Sequence, residues 1–309
     1  MLSPLLLAAA KSARTRSAVT SFPATRRVVD RFVAGETLQD AVATTRELLA
    51  DGRRVTLDHL GEGTTERAQA EAVAAAYTDL LRALAEAGLA DRAEVSVKLS
   101  ALGQALPADG ERVALDLARQ VCAAADAAGT TVTLDMEDHT TVDSTLSVLR
   151  ELRSDFPWTG AVLQSMLRRT EADARDLAVA GSRVRLVKGA YAEPASVAFR
   201  SGEEVDAAYV RCLGTLFRGP GYPMVGSHDP ALVAEAERLA RETGRAPGTY
   251  EFQMLYGIRT GEQRRIARSG RTMRVYVPYG TDWYGYFMRR LAERPANVAF
   301  FLRSFVPGR

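Results

Sequence analysis

Eight short β-rich runs alternate with longer segments of helical period through most of this chain, and this alternation restricts its fold more than any other feature. The first run is VTLDHL (55–60) and the last is RTMRVYVPYG (271–280). The six between them are EVSVKLS (94–100), TVTLDME (131–137), TGAVLQS (159–165), RVRLVKGA (183–190), PMVGSH (223–228) and TYEFQML (249–255). Because strands separated by helices pair in parallel, the pattern predicts an α/β fold.

The number of runs distinguishes between two α/β architectures. A doubly wound sheet usually has a nucleotide-binding glycine fingerprint after its first strand, but Gly61-Glu62-Gly63 at that place lacks the third glycine. A phosphate-binding loop ending in Gly-Lys-Ser/Thr is also absent from the sequence. Since eight strand–helix units are what a closed (β/α)8 barrel requires, we predict a TIM barrel over residues 51–309.

Residues 1–50 have no strand signal, and we predict that they form a helical extension packed on the outside of the barrel. The opening run, MLSPLLLAAAKSARTRS, lacks a basic leader before its apolar residues, so we interpret it as helix rather than as a signal peptide. No stretch approaches the roughly 18 uninterrupted apolar residues of a membrane span. A peripheral contact of this segment with a membrane stays open.

Composition excludes several classes of protein. Forty basic against thirty-eight acidic residues give a net charge of +2, without the basic bias of a nucleic-acid binder. Two cysteines, Cys122 and Cys212, are too few for a disulfide framework, so we expect both to be buried in helices of a cytoplasmic protein, free or at the inner face of the cell membrane. The three histidines, His59, His139 and His228, lack paired metal-ligand spacing, so we expect no catalytic metal.

Charged residues at two strand ends are candidates for an active site, because active-site groups of such barrels project from the carboxyl ends of the strands. Lys98 lies in a strand that is otherwise apolar or small, where an unpaired ammonium would be costly. Asp135 occupies the equivalent place in TVTLDME, so we predict a Lys98–Asp135 pair in the barrel mouth. Alternation in RLVK places Arg185 and Val187 on one face, directed toward the mouth.

Further strand ends carry polar or small residues that suit a ligand. Gln164 ends AVLQS, where its amide suits either the ring edge of a ligand or a backbone partner. Gly189 and Ala190 allow a ligand to approach the backbone closely. Ser227 and His228 end a run directly before a predicted helix, a position suited to a polar ring or a phosphate.

The helix predicted after the last strand, TDWYGYFMRRLAERPAN, has one polar side. Tyr286, Arg289, Arg290 and Glu293 fall at i, i+3, i+4 and i+7 and therefore share a face. Such a face is commonly solvated and held by an Arg–Glu pair. Here it includes a tyrosine and follows the final strand directly, so it can cover the mouth, where two adjacent guanidinium groups suit a carboxylate.

Five motifs together closely resemble the proline dehydrogenases, the flavin-dependent enzymes that begin proline breakdown. The motifs are VSVKLSALG, TLDMED, RLVKGAY, YEFQMLYG and YVPYG…YFMRRLAER, and they occur in the family's order across nearly all of residues 50–309. The chain is similar to the single-function bacterial type, since 309 residues leave no room for the aldehyde dehydrogenase fused to larger members.

The resemblance implies an activity and its partners. It implies a distorted (β/α)8 barrel that binds FAD and oxidises L-proline to Δ1-pyrroline-5-carboxylate, the first step of proline degradation to glutamate. It also implies that a membrane quinone accepts the electrons and that a separate pyrroline-5-carboxylate dehydrogenase takes the product.

Roles for individual residues come from the same resemblance. Arg289 and Arg290 match the pair that holds the proline carboxylate, while Asp135 and Arg185 match catalytic positions, the arginine lying near flavin N5. The remaining substrate positions are matched by Lys98, Tyr276, Tyr286 and Glu293. The positions that line FAD are matched by Met136, Gln164, Arg185, Val187, Lys188, Gly189, Ala190, Ser227 and His228.

Two departures from the family pattern are visible. Ala192 follows Tyr191 where fused members usually have tryptophan, so we expect different packing around the adenosine half of the cofactor. Ser227 stands where those members often have threonine, a conservative change.

Two other function classes stay open from the residues themselves. A lysine-dependent aldolase barrel would use Lys98 or Lys188 as a Schiff-base nucleophile. A non-catalytic flavin barrel that senses proline would be yellow, but proline would not bleach it.

Overall fold

Eight parallel strands alternate with helices along residues 29–293, the part of the chain that the computed structural model describes, with side chains as far as Arg290. The strands are β1 (Arg54–His59), β2 (Ala93–Val97), β3 (Val132–Leu134), β4 (Gly160–Gln164), β5 (Arg183–Val187), β6 (Tyr222–Gly226), β7 (Glu251–Leu255) and β8 (Thr272–Tyr279). The helices are α1 (Leu38–Ala50), α2 (Arg67–Glu86), α3 (Gly110–Ala127), α4 (Val142–Asp155), α5 (Thr170–Leu177), α6 (Gly202–Arg218), α7 (Pro230–Glu242), α8 (Thr260–Arg268) and α9 (Trp283–Glu293), with a short 3-10 helix at Ala90–Arg92.

The strands form a closed barrel in sequence order. Each strand pairs in parallel with the next, and β8 pairs with β1, for example at Arg274 opposite Arg54. The predicted (β/α)8 fold and all eight predicted strands are therefore confirmed.

All strands except β7 end before the predicted runs do. β2 ends at Val97 and β3 at Leu134, so Lys98 and Asp135 belong to the loops that follow. These two side chains bond to one another and to other charged groups across the mouth. Lys98 and Asp135 were therefore correctly assigned to the mouth but wrongly assigned to strands, whereas Gln164 and Arg185 lie in strands as predicted.

Alternation along each strand separates an apolar shell from a polar interior. Val95 and Val97 of β2 pack in the same buried cluster as Leu80 of α2, between strands and helices. Glu94 and Ser96 point to the opposite side, where they meet charged groups from distant strands. The barrel interior is thus lined by polar groups rather than filled by aliphatic side chains alone.

Helix α1 is the described part of the predicted amino-terminal extension. A capping box between Thr37 and Asp40 begins it, and it packs against β1 and β8. Residues 1–28 lie outside the described residues, so the predicted boundary at residue 50 stays a prediction. Across residues 29–293, no helix combines the length and the apolar character that crossing a membrane needs. Cys122 and Cys212 are buried in helices, as predicted.

Helix α9 lies against the segment that leads into α1. Val29, Phe32 and Val33 pack with Trp283 and Phe287 of α9 in one buried apolar cluster. Backbone hydrogen bonds join the same segment to the end of β8, from Ala34 N to Pro278 O and from Gly280 N to Gly35 O. The first and the last described elements are therefore packed together beside the barrel mouth.

Gly257, after β7, allows this packing. Its φ is +71°, which favours glycine, and a Cβ atom there would lie 1.7 Å from the carbonyl oxygen of Arg31. The backbone at Arg31, in the segment that leads into α1, therefore packs directly against the backbone of Gly257.

Candidate active site

A cavity of about 630 Å³ opens at the carboxyl end of the barrel. Every predicted site residue whose side chain the structure describes lines it. These residues are Lys98, Asp135, Met136, Gln164, Arg185, Val187, Lys188, Gly189, Ala190, Ser227, His228, Tyr276, Tyr286, Arg289 and Arg290. Glu293 ends α9, and its side chain lies outside the described residues. The sequence therefore located the cavity, while the roles of its residues stay predictions.

Lys98 is held between two buried carboxylates. Its Nζ lies 2.8 Å from Asp58 Oδ2 and 3.5 Å from Asp135 Oδ2. The predicted Lys98–Asp135 pair thus forms, but Asp58 at the end of β1, which the sequence analysis missed, is the nearer partner. Burial alone would lower the pKa of Lys98, but these two carboxylates raise it well above its ordinary value. The ammonium therefore stays protonated at neutral pH.

Asp135 joins groups from three sides of the barrel. One of its oxygens accepts a hydrogen bond from Arg185 Nη1 at 2.8 Å, and the other accepts one from the Tyr276 hydroxyl at 2.6 Å. Burial alone would raise the pKa of Asp135, but Lys98 and Arg185, with hydrogen bonds from Tyr276 and Ser96, hold it below its ordinary value. The carboxylate is therefore ionised at neutral pH and fixes the charges around it.

Arg289 on α9 reaches across the mouth to a loop carboxylate. Its Nη1 and Nη2 donate to the two oxygens of Glu62 at 3.1 and 2.6 Å, a bidentate pair. Burial alone would lower the pKa of Arg289, but Glu62 raises it. Arg290 is almost fully buried, with its guanidinium 5.0 Å from the centre of the Tyr286 ring. Helix α9 thus covers the mouth with its cationic side turned inward, as predicted.

The opposite side of the cavity is built by loops after β4, β5 and β6. Gln164 Nε2 donates to the carbonyl oxygen of Glu137 at 2.6 Å, so the backbone-partner alternative holds for this amide. Lys188 Nζ lies 3.0 Å from Asp229 Oδ2. His228 Nε2 accepts a hydrogen bond from the Leu255 amide at 2.9 Å, so this nitrogen connects the loop after β6 to the end of β7.

Several cavity residues are not among the predicted site residues, including the ionisable side chains of Asp58, Glu62 and Tyr191. A carboxylate inside the predicted strand VTLDHL was a signal that could have identified Asp58, because an unpaired charge within a barrel strand is costly. Glu62 lies in a glycine-rich turn that resembles any solvated loop. Tyr191 is half-buried, and burial raises its pKa above its ordinary value.

The acidic run after β3 serves loop contacts. Glu137 accepts hydrogen bonds from the Ser100 amide and hydroxyl, and the His139 ring pairs with Glu193. Within residues 29–293 no group of three or more His, Cys, Asp or Glu side chains is arranged to hold a metal ion.

Comparison with known proteins gives consistent matches along the chain. A family model described as proline dehydrogenase matches residues 41–303. The chain is 39% identical over 282 residues to proline dehydrogenase 1 of Bacillus subtilis (strain 168), covering 91% of this chain and 92% of that protein. It is 40% identical over 283 residues to the proline dehydrogenase of Deinococcus radiodurans, covering 91% of each.

A solved structure shares the fold. Proline utilization A (PutA) from Bdellovibrio bacteriovorus, inactivated by N-propargylglycine, matches with a TM-score of 0.80 at 26% identity. The match covers 91% of this chain and 34% of the PutA chain, so this chain spans about a third of that protein.

Proposed function

The chain belongs to the proline dehydrogenase family, flavin-dependent oxidoreductases of proline degradation, and from this premise we propose that its barrel mouth binds FAD and holds L-proline for oxidation to Δ1-pyrroline-5-carboxylate. In this reaction proline loses a hydride from C5 and a proton from nitrogen, and the C5–N bond becomes double. When bound, the flavin supplies the acceptor for the two electrons.

The observation that carries the proposal is the sharing of one cavity by two sets of charges. Arg289 and Arg290 form a cationic pair at its outer side, and Lys98, Asp135 and Arg185 form a buried cluster at its base. A small zwitterion needs both, because its carboxylate requires cations and its amine must lie beside an ordered polar surface.

The residues present fit a flavin at the base of the cavity. In the part of the chain that the structure describes, Nε of Arg185 is buried without a hydrogen-bond acceptor, and Nη2 lies 3.9 Å from Glu94 Oε1, beyond hydrogen-bond distance. Such donors suit the acceptor atoms of a flavin ring. Arg185 would favour the anionic reduced form by its fixed positive charge. We assign the rest of the cofactor to the loop Val187–Ala190 and to Ser227 after β6.

The chain's own side chains would position the substrate. Arg289 and Arg290 bind the carboxylate, and Tyr276 and Tyr286 form walls for the ring. Holding two reactants in an aligned geometry lowers a barrier by roughly 7–11 kcal/mol. Helix α9 over the mouth excludes water from the reacting atoms. Lys98 is already protonated, so its ammonium holds the carboxylates of Asp58 and Asp135 in place and does not accept the amine proton.

The geometry opposes the lysine-dependent aldolase. A Schiff base requires a neutral amine, whereas Lys98 is locked between Asp58 and Asp135. Lys188, the other candidate, lies in an ion pair with Asp229 and Asp206. The geometry does not distinguish the enzyme from a non-catalytic proline sensor, but the absorbance test below does.

Two partners complete the proposal. We infer from the family resemblance that a quinone at the membrane reoxidises the flavin and that a separate pyrroline-5-carboxylate dehydrogenase takes the product.

The test begins with the absorbance of the purified full chain. We expect the visible absorbance of oxidised flavin, its loss on anaerobic addition of proline, and FAD as the cofactor identified by mass spectrometry after release. Arg289→Met should retain the cofactor and need far more proline for bleaching. Protein that binds no flavin would refute the proposal, and yellow protein that proline leaves unchanged would identify a sensor.

A further inference from the structure

Strand β2 and the residue that follows it present a row of three polar side chains to the barrel interior. Glu94, Ser96 and Lys98 alternate with Val95 and Val97, and the row runs from the amino end of the barrel to its mouth. The lower member contacts buried arginines, and the upper member contacts the carboxylates of the mouth. Ser96, the middle member, has no part in the function described so far.

The Ser96 hydroxyl touches both partners of the ion pair at the base of the cavity. Its Oγ lies 2.7 Å from Asp135 Oδ1 and 3.1 Å from Arg185 Nη1, and these two atoms are 2.8 Å apart. The hydroxyl donates to the carboxylate and accepts from the guanidinium, so the three groups close a ring of hydrogen bonds. Ser96 is fully buried, and water therefore does not replace these contacts.

Other hydroxyls of the barrel interior have different partners. Thr56, Thr131 and Thr133 all direct their hydroxyls to Glu94, in the lower part of the barrel. Among the aliphatic hydroxyls of residues 29–293, Ser96 alone contacts Asp135 and Arg185. Its placement is therefore specific to the mouth.

We propose that Ser96 is a positioning residue whose hydroxyl fixes the Arg185 guanidinium against the Asp135 carboxylate, and thereby sets how readily the bound flavin is reduced. The proposal rests on the proposed function, since it assigns the flavin to the donors of Arg185. Without the hydroxyl, Nη1 of Arg185 keeps only its hydrogen bond to Asp135, and the weaker contacts of the guanidinium with Glu94 at 3.9 Å and with the Tyr276 ring place its charge less precisely. Ser96 does not itself touch the reacting atoms.

The test compares Ser96→Ala with Ser165→Ala in the flavin-loaded full chain. Ser165 is also fully buried, but its hydroxyl lies 3.2 Å from the backbone oxygen of Val205, away from the charge cluster. We expect Ser96→Ala to lower the flavin reduction potential and to reduce kcat about tenfold, the weight of one hydrogen bond to a charged group. The KM for proline should change less than about threefold, because other residues hold its carboxylate.

A pH profile supplies a third readout. Loss of the Ser96 donor should move the acidic limb of kcat to higher pH, because this hydrogen bond helps to keep Asp135 ionised. The charged and titratable groups that face Asp135 are Asp58 from β1, Lys98 after β2, Arg185 from β5 and Tyr276 from β8. All four are the same in both variants, so the comparison isolates the hydroxyl.

The outcomes separate this inference from the proposed function. Wild-type protein without flavin, or flavin that proline cannot bleach, would refute the function and with it this role. Normal wild-type bleaching, with an unchanged potential and acidic limb in Ser96→Ala, would overturn the role of Ser96 alone. If Ser96→Ala does not fold, Ser96→Cys decides the question, since a thiol is a weaker donor. A shift in the same direction supports the proposal, and a wild-type potential and pH profile refute it.

Discussion

The two ends of the barrel interior are both rich in charge, but they differ in what the charges contact. At the amino end, Arg183 Nη2 lies 2.6 Å from Glu94 Oε2, and Arg274 Nε lies 2.7 Å from Glu251 Oε1. None of these four residues lines the cavity. At the carboxyl end, Lys98, Asp135 and Arg185 line the cavity.

This difference distinguishes a structural cluster from a binding surface. In the lower cluster the carboxylates are buried and each faces an arginine. The charged groups of the upper cluster face the cavity, so we predict that they bind a ligand. Substitutions at the lower end should consequently affect stability, and those at the upper end should affect turnover or binding.

The largest effect is expected at the lower end. Glu251→Gln removes the charge that neutralises Arg274 and leaves a buried cation, at a cost of about 3–5 kcal/mol in the free energy of unfolding. Glu171→Gln, which breaks a partly exposed pair with Arg211, should cost less than about 1 kcal/mol. Urea unfolding of both variants measures the contrast, and equal losses would show that the two ion pairs are equivalent.

Asp135→Asn tests the upper end. The change removes the charge that aligns Arg185 and Tyr276, and a misplacement of that kind reduces turnover on the order of 100-fold. Flavin content should stay near the wild-type level. Asp143→Asn, at an exposed pair with Arg169, serves as the control for steady-state kinetics. Wild-type kcat in Asp135→Asn would remove this carboxylate from the mechanism.

Arg289→Met should affect binding more than turnover. The substitution removes the guanidinium, so the proline carboxylate loses a charge-assisted contact. We expect KM for proline to rise roughly 10- to 50-fold with the flavin spectrum intact. The matched change Arg264→Met breaks a surface pair with Asp51 and should leave KM unaltered. An unchanged KM in Arg289→Met would refute the assignment of this residue to the substrate.

Acid should remove part of the stability that the lower end contributes. Burial alone would raise the pKa of Glu94, but Arg274, Arg183 and Arg185 lower it from 4.5 to about 2. The unfolded chain binds the proton at higher pH than the folded chain, so this stabilisation is complete above pH 4.5 and is lost as the pH falls toward 2. Urea unfolding across this range should show a slope of at most about 1.4 kcal/mol per pH unit from this group. If the free energy of unfolding of Glu94→Gln depends on pH as steeply as that of the wild type, Glu94 is not the source of this pH dependence.

The smallest effect concerns Lys98. Because its ammonium is held by two carboxylates, borohydride in the presence of a carbonyl compound should leave no adduct on it. Peptide mass spectrometry detects such an adduct. A modified Lys98 would restore the aldolase alternative.

Local pattern predicted the order of strands and helices and the polar groups at the mouth, because alternation and composition act over a few residues. It did not reveal partners across the barrel. Asp58 and Lys98 are 40 positions apart, and Glu62 and Arg289 are 227 apart. Arg183 and Arg185 occupy equivalent positions in the pattern RVRLV. Arg183 nevertheless pairs with Glu94 at the amino end of the barrel, whereas Arg185 lines the cavity at the carboxyl end.

The bare backbone of Gly257 has a consequence for the region that carries Arg289. Even a methyl group at this position would displace the carbonyl of Arg31, and with it the chain that Phe32 anchors against Phe287. The position of α9, and of Arg289 and Arg290 on it, therefore depends on a residue without a side chain in a different strand–helix unit.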